Sequence, residues 1–190
     1  SAYDGILCDT ATTERTKLTL ANSTVHNCQG YGLQAINCKI EAYNTQFSNT
    51  LKDCAAFIGG DVTLTHCTFA QFYPFDGNRG AALSFGNHSS GKDYPLQAFN
   101  VRNSLVTGYS DDVLMGGNKE KVTANYQFDH CILRTPKPDK PALLAHFTDV
   151  LWESSKDYPD GGDRQFVLVD GNKQHYDFHL KKPEKGEKFP

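Results

Sequence analysis

Tyrosines beside aspartates recur along this chain, and that pairing suits one kind of chemistry. The clusters are Tyr3-Asp4-Gly5, Gly30-Tyr31-Gly32, Lys52-Asp53, a run holding Tyr73, Phe75, Asp76, Asn78 and Arg79, and Tyr109-Ser110-Asp111-Asp112. Aromatic faces interleaved with carboxylates match sugar rings, which present apolar C–H faces and a rim of hydroxyls. Hydrolysis of a glycosidic bond needs more, namely two carboxyl groups about 5–9.5 Å apart. Asp112 with Asp76 or Asp53 would be the pair to supply them. A lyase would need a cation to neutralise a uronate and a base to take the α-proton, and Arg79 is the cation at hand. The same residues are good turn formers whatever the function, so turn chemistry is the competing account.

Two other constellations invite a chemical reading. In His175-Tyr176-Asp177-Phe178-His179, strand alternation puts His175, Asp177 and His179 on one face. Two imidazoles and a carboxylate can hold a transition metal, but an ordinary half-exposed strand with its polar side outward has the same pattern. The six cysteines follow no zinc spacing. They read as small buried residues, with the redox state of Cys28 and Cys38, which flank one strand, left open. Nothing in either set calls for a cofactor.

Whatever these residues do, a repeat must position them. Leu18-Thr-Leu20-Ala-Asn22-Ser-Thr-Val25-His-Asn27 returns as Ile40-Glu-Ala42-Tyr-Asn44-Thr-Gln-Phe47-Ser-Asn49, a step of 22 residues. Further copies centre on His66, Asn103 and His130, with glycine- and asparagine-rich insertions at 86–96 and 116–125. Each copy resolves into three short strands, a period typical of a solenoid. Stacked about 4.8 Å apart, such turns form parallel sheets around a continuous core. Leu18/Ile40/Val62/Phe99, Leu20/Ala42/Leu64/Val101/Phe128 and Val25/Phe47/Phe69/Val106/Leu133 are then interior columns. Asn22, Asn44, His66, Asn103 and His130 occupy the tight turn between second and third strands, where an amide tolerates left-handed backbone and bonds its neighbours. In that register Cys67 and Cys131, like Cys8 and Cys54, lie two turns apart, roughly 9–10 Å, too far for a disulfide.

This array resembles the right-handed parallel β-helix (pectin-lyase-like) superfamily and, within it, surface-associated β-helix proteins of Bacteroides-type bacteria. The likeness covers roughly residues 3–135 and rests on Leu-x-Leu-x-Asn-Ser-x-Val-x-Asn and its variants. Phe166-Val-Leu-Val169 with Tyr176-Asp-Phe-His-Leu180 looks like the closing segment of such proteins. The resemblance implies a right-handed coil and places any chemistry on and beside the first sheet. It does not imply an activity, because the superfamily holds lyases, hydrolases, adhesins and inert spacers. The first-strand residues expected to face outward are Leu7, Gln34, Ala56 or Phe57, Ser84 and Leu114; none is charged, which argues against catalysis. Two sequons, Asn22-Ser-Thr24 and Asn87-His-Ser89, are read as structural or unmodified, Asn22 being a ladder residue.

Bulk properties narrow the rest. A net charge of −3 with no basic stripe excludes a nucleic-acid partner. No apolar run reaches the roughly 18–20 residues of a transmembrane helix. Tyr3-Asp4-Gly5-Ile6 enters strand with no cap, so missing N-terminal turns or another chain is expected at that open end. Residues 136–162 are proline- and glycine-rich and read as an excursion rather than a turn, with Leu143, Leu144, Phe147, Val150, Leu151 and Trp152 covering the bottom of the core. The expectation is an all-β, right-handed single-stranded parallel β-helix of about five to six turns over 1–135, with an irregular C-terminal capping region and closing strands over 136–190. Its expected role is an extracellular or cell-surface scaffold or glycan-recognition module, with Tyr3, Tyr31, Tyr73, Phe75, Tyr109 and Asp111 binding ligand. The alternative is a polysaccharide lyase or glycoside hydrolase using Asp53, Asp76, Asp112 and Arg79.

Overall fold

A computed structural model describes residues 3–10, 16–159 and 161–182. Turn 1 holds β1 (Ile6–Asp9), β2 (Lys17–Ala21) and β3 (Thr24–His26), and turn 2 holds β4 (Leu33–Ile36), β5 (Lys39–Tyr43) and β6 (Gln46–Ser48). Turn 3 holds β7 (Ala55–Ile58), β8 (Gly60–Thr65) and β9 (Thr68–Gln71). Turn 4 starts with β10 (Leu83–Gly86), detours through a small hairpin of β11 (His88–Ser89) and β12 (Lys92–Asp93), and resumes with β13 (Leu96–Arg102) and β14 (Leu105–Gly108). Turn 5 holds β15 (Val113–Met115), β16 (Ala124–Asp129) and β17 (Ile132–Leu133). First strands pair only with first strands, second with second and third with third, all in parallel, giving one sheet of five strands and two of six. The protein is a parallel β-helix.

The sixth strands come from the region expected to be an excursion. After a four-residue helix α1 (Pro141–Leu144), β18 (Phe147–Thr148) pairs with β16 and β19 (Leu151–Trp152) pairs with β17. Residues 147–152 therefore form two thirds of another turn. Phe147 extends the Phe128 column and stacks on that ring at 5.3 Å, while Trp152 extends the Leu133 column. The prolines upstream do not prevent pairing, because they precede the strands and take no ladder position. Of the expected cover, Phe147, Val150 and Trp152 pack on the core, whereas Leu143 stays exposed.

The three interior columns run in the expected register. Burial rises steeply inward: Leu18, Leu20 and Val25 of turn 1 are half-buried, and their neighbours Ile40, Ala42 and Phe47 are fully buried. At the tight turn, Asn22, Asn44, His66, Asn103 and His130 all take left-handed backbone with φ between 47° and 53°, and Asp149 continues the column at 49°. The Asn44 amide donates to Asn22 Oδ1 at 2.7 Å. Replacing Asn103 by valine should cost about 1–2 kcal/mol in urea unfolding, since a branched Cβ is poorly tolerated there, whereas Asn103→Gly should cost only tenths.

The last two strands, β20 (Phe166–Asp170) and β21 (His175–Leu180), form an antiparallel hairpin. Rather than closing an end, it lies on the outer face of the third sheet. There Phe166, Val169, Tyr176 and Phe178 pack with Ala70, Phe72, Leu105, Ile132 and Leu151 in a second, smaller core. The outward column explains the position: Thr24, Gln46 and Thr68 are polar, but Leu105, Ile132 and Leu151 in the later turns are apolar and need cover. Among the described residues no helix is long and apolar enough to cross a membrane.

The second sequon is structural. The Asn87 side chain is fully buried; its amide donates to the Lys119 and Val122 carbonyls, and its Oδ1 accepts from Lys119 N–H. Asn87 thus ties the insertion of turn 5 to that of turn 4, beside a surface pair of Asp93 with Lys119 and His88.

Candidate functional site

The stack brings the tyrosine–aspartate clusters onto one edge, at the entrance to the first sheet. Backbone bonds from Gly5 N–H to Tyr31, Gly32 N–H to Asp53, Cys54 N–H to Ala81 and Leu83 N–H to Asp112 carry this edge across successive turns. Two aromatic groups form on it. In the first, Lys52 Nζ sits 5.7 Å above the Tyr3 ring and 4.9 Å above that of Tyr31. In the second, the Arg79 guanidinium lies 5.2 Å above the Tyr109 ring, which meets Phe72 edge-on at 5.1 Å, and Tyr73 packs edge-on against Phe75 at 5.4 Å. Arg79 also donates to Ser110 Oγ at 3.2 Å. A cation over a tyrosine face contributes about 0.5–1 kcal/mol at an exposed site and keeps the ring in place.

The aspartates of this edge are committed elsewhere. Asp4 accepts from Tyr31 N–H at 2.7 Å. Asp53 accepts from Ala81 N–H and from the Ser84 hydroxyl. Asp76 closes an Asx turn by accepting from Asn78 N–H, and Asp111 holds both the N–H and the hydroxyl of Ser155. The Asp4 and Asp53 bonds join consecutive turns, that of Asp76 closes a local loop and those of Asp111 reach the C-terminal segment, so turn chemistry accounts for their presence.

Asp112 is placed differently from the expectation. Val113 stacks on Leu83, Ala55, Leu33 and Ile6, so the residue before it shares a column with Ala82, Cys54, Gly32 and Gly5. That column of small residues turns into the interior, and Asp112 is only 2 % exposed. Burial pushes its carboxyl pKa up to about 7, against the pull of Arg79, the Ser110 N–H and Arg134. Asp112 is therefore withdrawn from the edge where Asp53 and Asp76 lie, and cannot face a bound sugar with either. One residue of counting back from Val113 would have exposed this in the sequence.

On the first sheet the outward column is Leu7, Gln34, Ala56, Ser84 and Leu114, with Ala56 rather than Phe57 facing out. The column carries no carboxylate. Arg134 is fully buried, donating to the Glu153 and Tyr158 carbonyls, while the buried Glu153 carboxylate takes Arg164 and Gln165. Both serve to fasten the C-terminal segment to turn 5.

The metal candidate also resolves. Asp177 pairs with His179 at 2.5 Å, and Tyr176 and Phe178 pack inward, so the alternation holds. Among the described residues, the three-residue group whose ligand atoms all lie within 4.8 Å is a different one, Asp129, His130 and Asp149. His130 spends Nδ1 on Asp129 and Nε2 on Asp149, and Arg102 takes a further Asp129 oxygen. With each imidazole nitrogen facing its own carboxylate and the Arg102 guanidinium on Asp129, the group is a polar network on the ladder turn.

Two surfaces escaped the sequence reading. The outer face of the second sheet sets Thr63, Asn100, Arg102, Gln127, Asp129 and Thr148 around a hollow of about 560 Å³. A groove of about 790 Å³ runs between the ladder residues His66, Asn103 and His130 and the end of β21 at Leu180, with Lys181 and Lys182 just beyond it. The alternate polar positions of the second strands were the available signal for the first; only the docking of the hairpin creates the second.

Fold and edge together define a parallel β-helix whose loop edge carries tyrosines under cations. No protein-family model matches the chain, and neither a curated protein nor a solved structure matches it.

Proposed function

We propose that the chain is a non-catalytic glycan-recognition module of the pectin-lyase-like type, acting at an extracellular or cell-surface location. The observation that carries this reading is the division of labour on the loop edge. Tyr3, Phe75 and Tyr109 leave 61 %, 65 % and 41 % of their surface exposed, while the neighbouring aspartates are spent on turn hydrogen bonds. Exposed rings at the entrances to turns 1, 4 and 5 offer stacking platforms for sugar faces, with Lys52, Arg79 and Ser110 within reach of hydroxyls. A hydrolase or lyase on the same edge is the rival. Asp112 has a pKa suited to acid–base work, but its burial keeps it from a substrate.

The test is binding to immobilised neutral and uronate oligosaccharides, with a product assay run in parallel. Saturable binding without turnover is expected, weakened roughly fivefold in Tyr3→Ala and in Tyr109→Ala, the weight of one aromatic contact of about 1 kcal/mol. Turnover that disappears in Asp112→Ala would establish the enzyme instead, and no binding to any glycan would remove the recognition role.

A further inference from the structure

All six cysteines read from the sequence as small buried residues, with only the pair Cys28 and Cys38 left open. Cys54, Cys67 and Cys131 do sit alone in the interior, each near backbone carbonyls. Cys38 was considered with Cys28, but Cys28 points back to the His26 carbonyl. The sulfur that meets Cys38 is that of Cys8, at 2.8 Å. This is well inside an ordinary non-bonded separation of two sulfurs, and only a short movement from the roughly 2.05 Å of a bond.

The backbone explains the approach. Cys8 lies on β1 and stacks on Ala35 of β4, with its side chain inward. After Ile36 the chain turns at Asn37, which has φ of 53°, and this reversal brings Cys38 in under the end of β1. Thr10 N–H bonds to the Ile36 carbonyl and the Thr10 hydroxyl lies 3.6 Å from Cys38 Sγ, so both walls of the corner are held. Both cysteines are buried, although the other core residues of turn 1, Leu18, Leu20 and Val25, are only half-covered.

We propose that Cys8 and Cys38 form a disulfide that staples turn 1 to turn 2, and that this is a modification site of the secreted or surface-exposed protein. The oxidant is a small-molecule or protein disulfide, R–S–S–R. The Cys38 thiol attacks it, forming Cys38–S–S–R and releasing one RSH that carries the thiol proton. Cys8 then displaces the second RSH and closes the Cys8–Cys38 bond. The pair loses two electrons and the disulfide R–S–S–R gains them. Because both sulfurs are buried once the turn has packed, the exchange takes place on the folding chain. The bond closes a loop of 30 residues, and an entropic staple of that size raises the melting temperature of a chain this long by roughly 7–14 °C.

Wild-type protein refolded with a mixture of reduced and oxidised glutathione decides the matter. Free thiols are alkylated under denaturing conditions without reductant, and the chain is cut with trypsin, which separates Cys8 from Cys28 at Arg15 and Lys17, and with chymotrypsin, which separates Cys28 from Cys38 at Tyr31. The expected result is a linked peptide pair carrying Cys8 and Cys38, alkylation of the other four cysteines, and a melting temperature that falls by the stated amount on adding reductant. Alkylation of both Cys8 and Cys38, or a bond from Cys38 to Cys28, overturns the proposal. A Cys38→Val variant should melt at the reduced wild-type temperature and be insensitive to reductant; an unchanged reductant response would overturn it too. Should that variant fail to fold, the wild-type peptide map alone decides.

Discussion

Truncating Phe99 to alanine is expected to lower the unfolding free energy by about 3–5 kcal/mol, the range for a large aromatic removed from a packed core. Phe99 has no exposed surface and stands where three turns and two sheets meet. Its ring stacks on Phe85 at 4.6 Å and meets Phe57 at 5.5 Å and Phe128 at 6.0 Å. No neighbour can swing in to fill the space, since each is fixed by its own strand register above and below. Phe75→Ala supplies the contrast. That ring is exposed on the loop edge, and its loss should stay within about 0.5 kcal/mol. Urea unfolding of both variants checks the pair; equal effects would mean that the β-helix core is not packed as described.

The second large effect is a pH dependence centred on Asp112. Its carboxyl has an ordinary value of 3.8 and about 7 when buried in the fold. Below about pH 4 the folded and unfolded chains both carry the proton, and the site costs nothing. Between about pH 4 and 7 the unfolded chain releases it while the folded chain keeps it, so stability falls as pH rises. Above about 7 the loss is complete, and a shift of some 3 units corresponds to roughly 4 kcal/mol. The charged groups facing it are Arg79 and Arg134, which favour ionisation, and Asp111, which opposes it. Asp112→Asn keeps the shape and removes the titration. At pH 8 it should therefore melt several degrees above the wild type, and at pH 4 the two should coincide. Melting curves that run parallel from pH 4 to 8 would show that Asp112 does not titrate in this range.

The same residue marks how far the sequence could be read. Columns such as Leu20/Ala42/Leu64/Val101/Phe128 were legible because each turn repeats its inward residues at one spacing, and parallel stacking turns that spacing into contact. Left-handed positions were legible for the same reason, as asparagine and histidine recur where only a few residue types tolerate the turn. The edge tyrosines were legible as neighbours, but the state of the aspartates among them was not. Whether Asp53 greets a ligand or caps Ala81 N–H depends on where a backbone amide of the next turn points, and no residue pattern records that.

Residues 147–152 show a different limit. Two-residue strands are too short to display alternation, and the surrounding prolines mask them; β18 and β19 exist because turn 5 offers unpaired edges for them. The docking of the β20–β21 hairpin, the groove beneath its end and the meeting of Cys8 with Cys38 likewise join residues far apart in the chain. Sequence by itself therefore determined the coil, its register and the identity of the exposed aromatic edge, because those follow from a local period repeated. Tertiary structure alone decided what the edge aspartates bond to, which cysteines meet and what covers the third sheet. Those depend on which way a side chain turns at a corner and on what packs against it, and the period is silent on both.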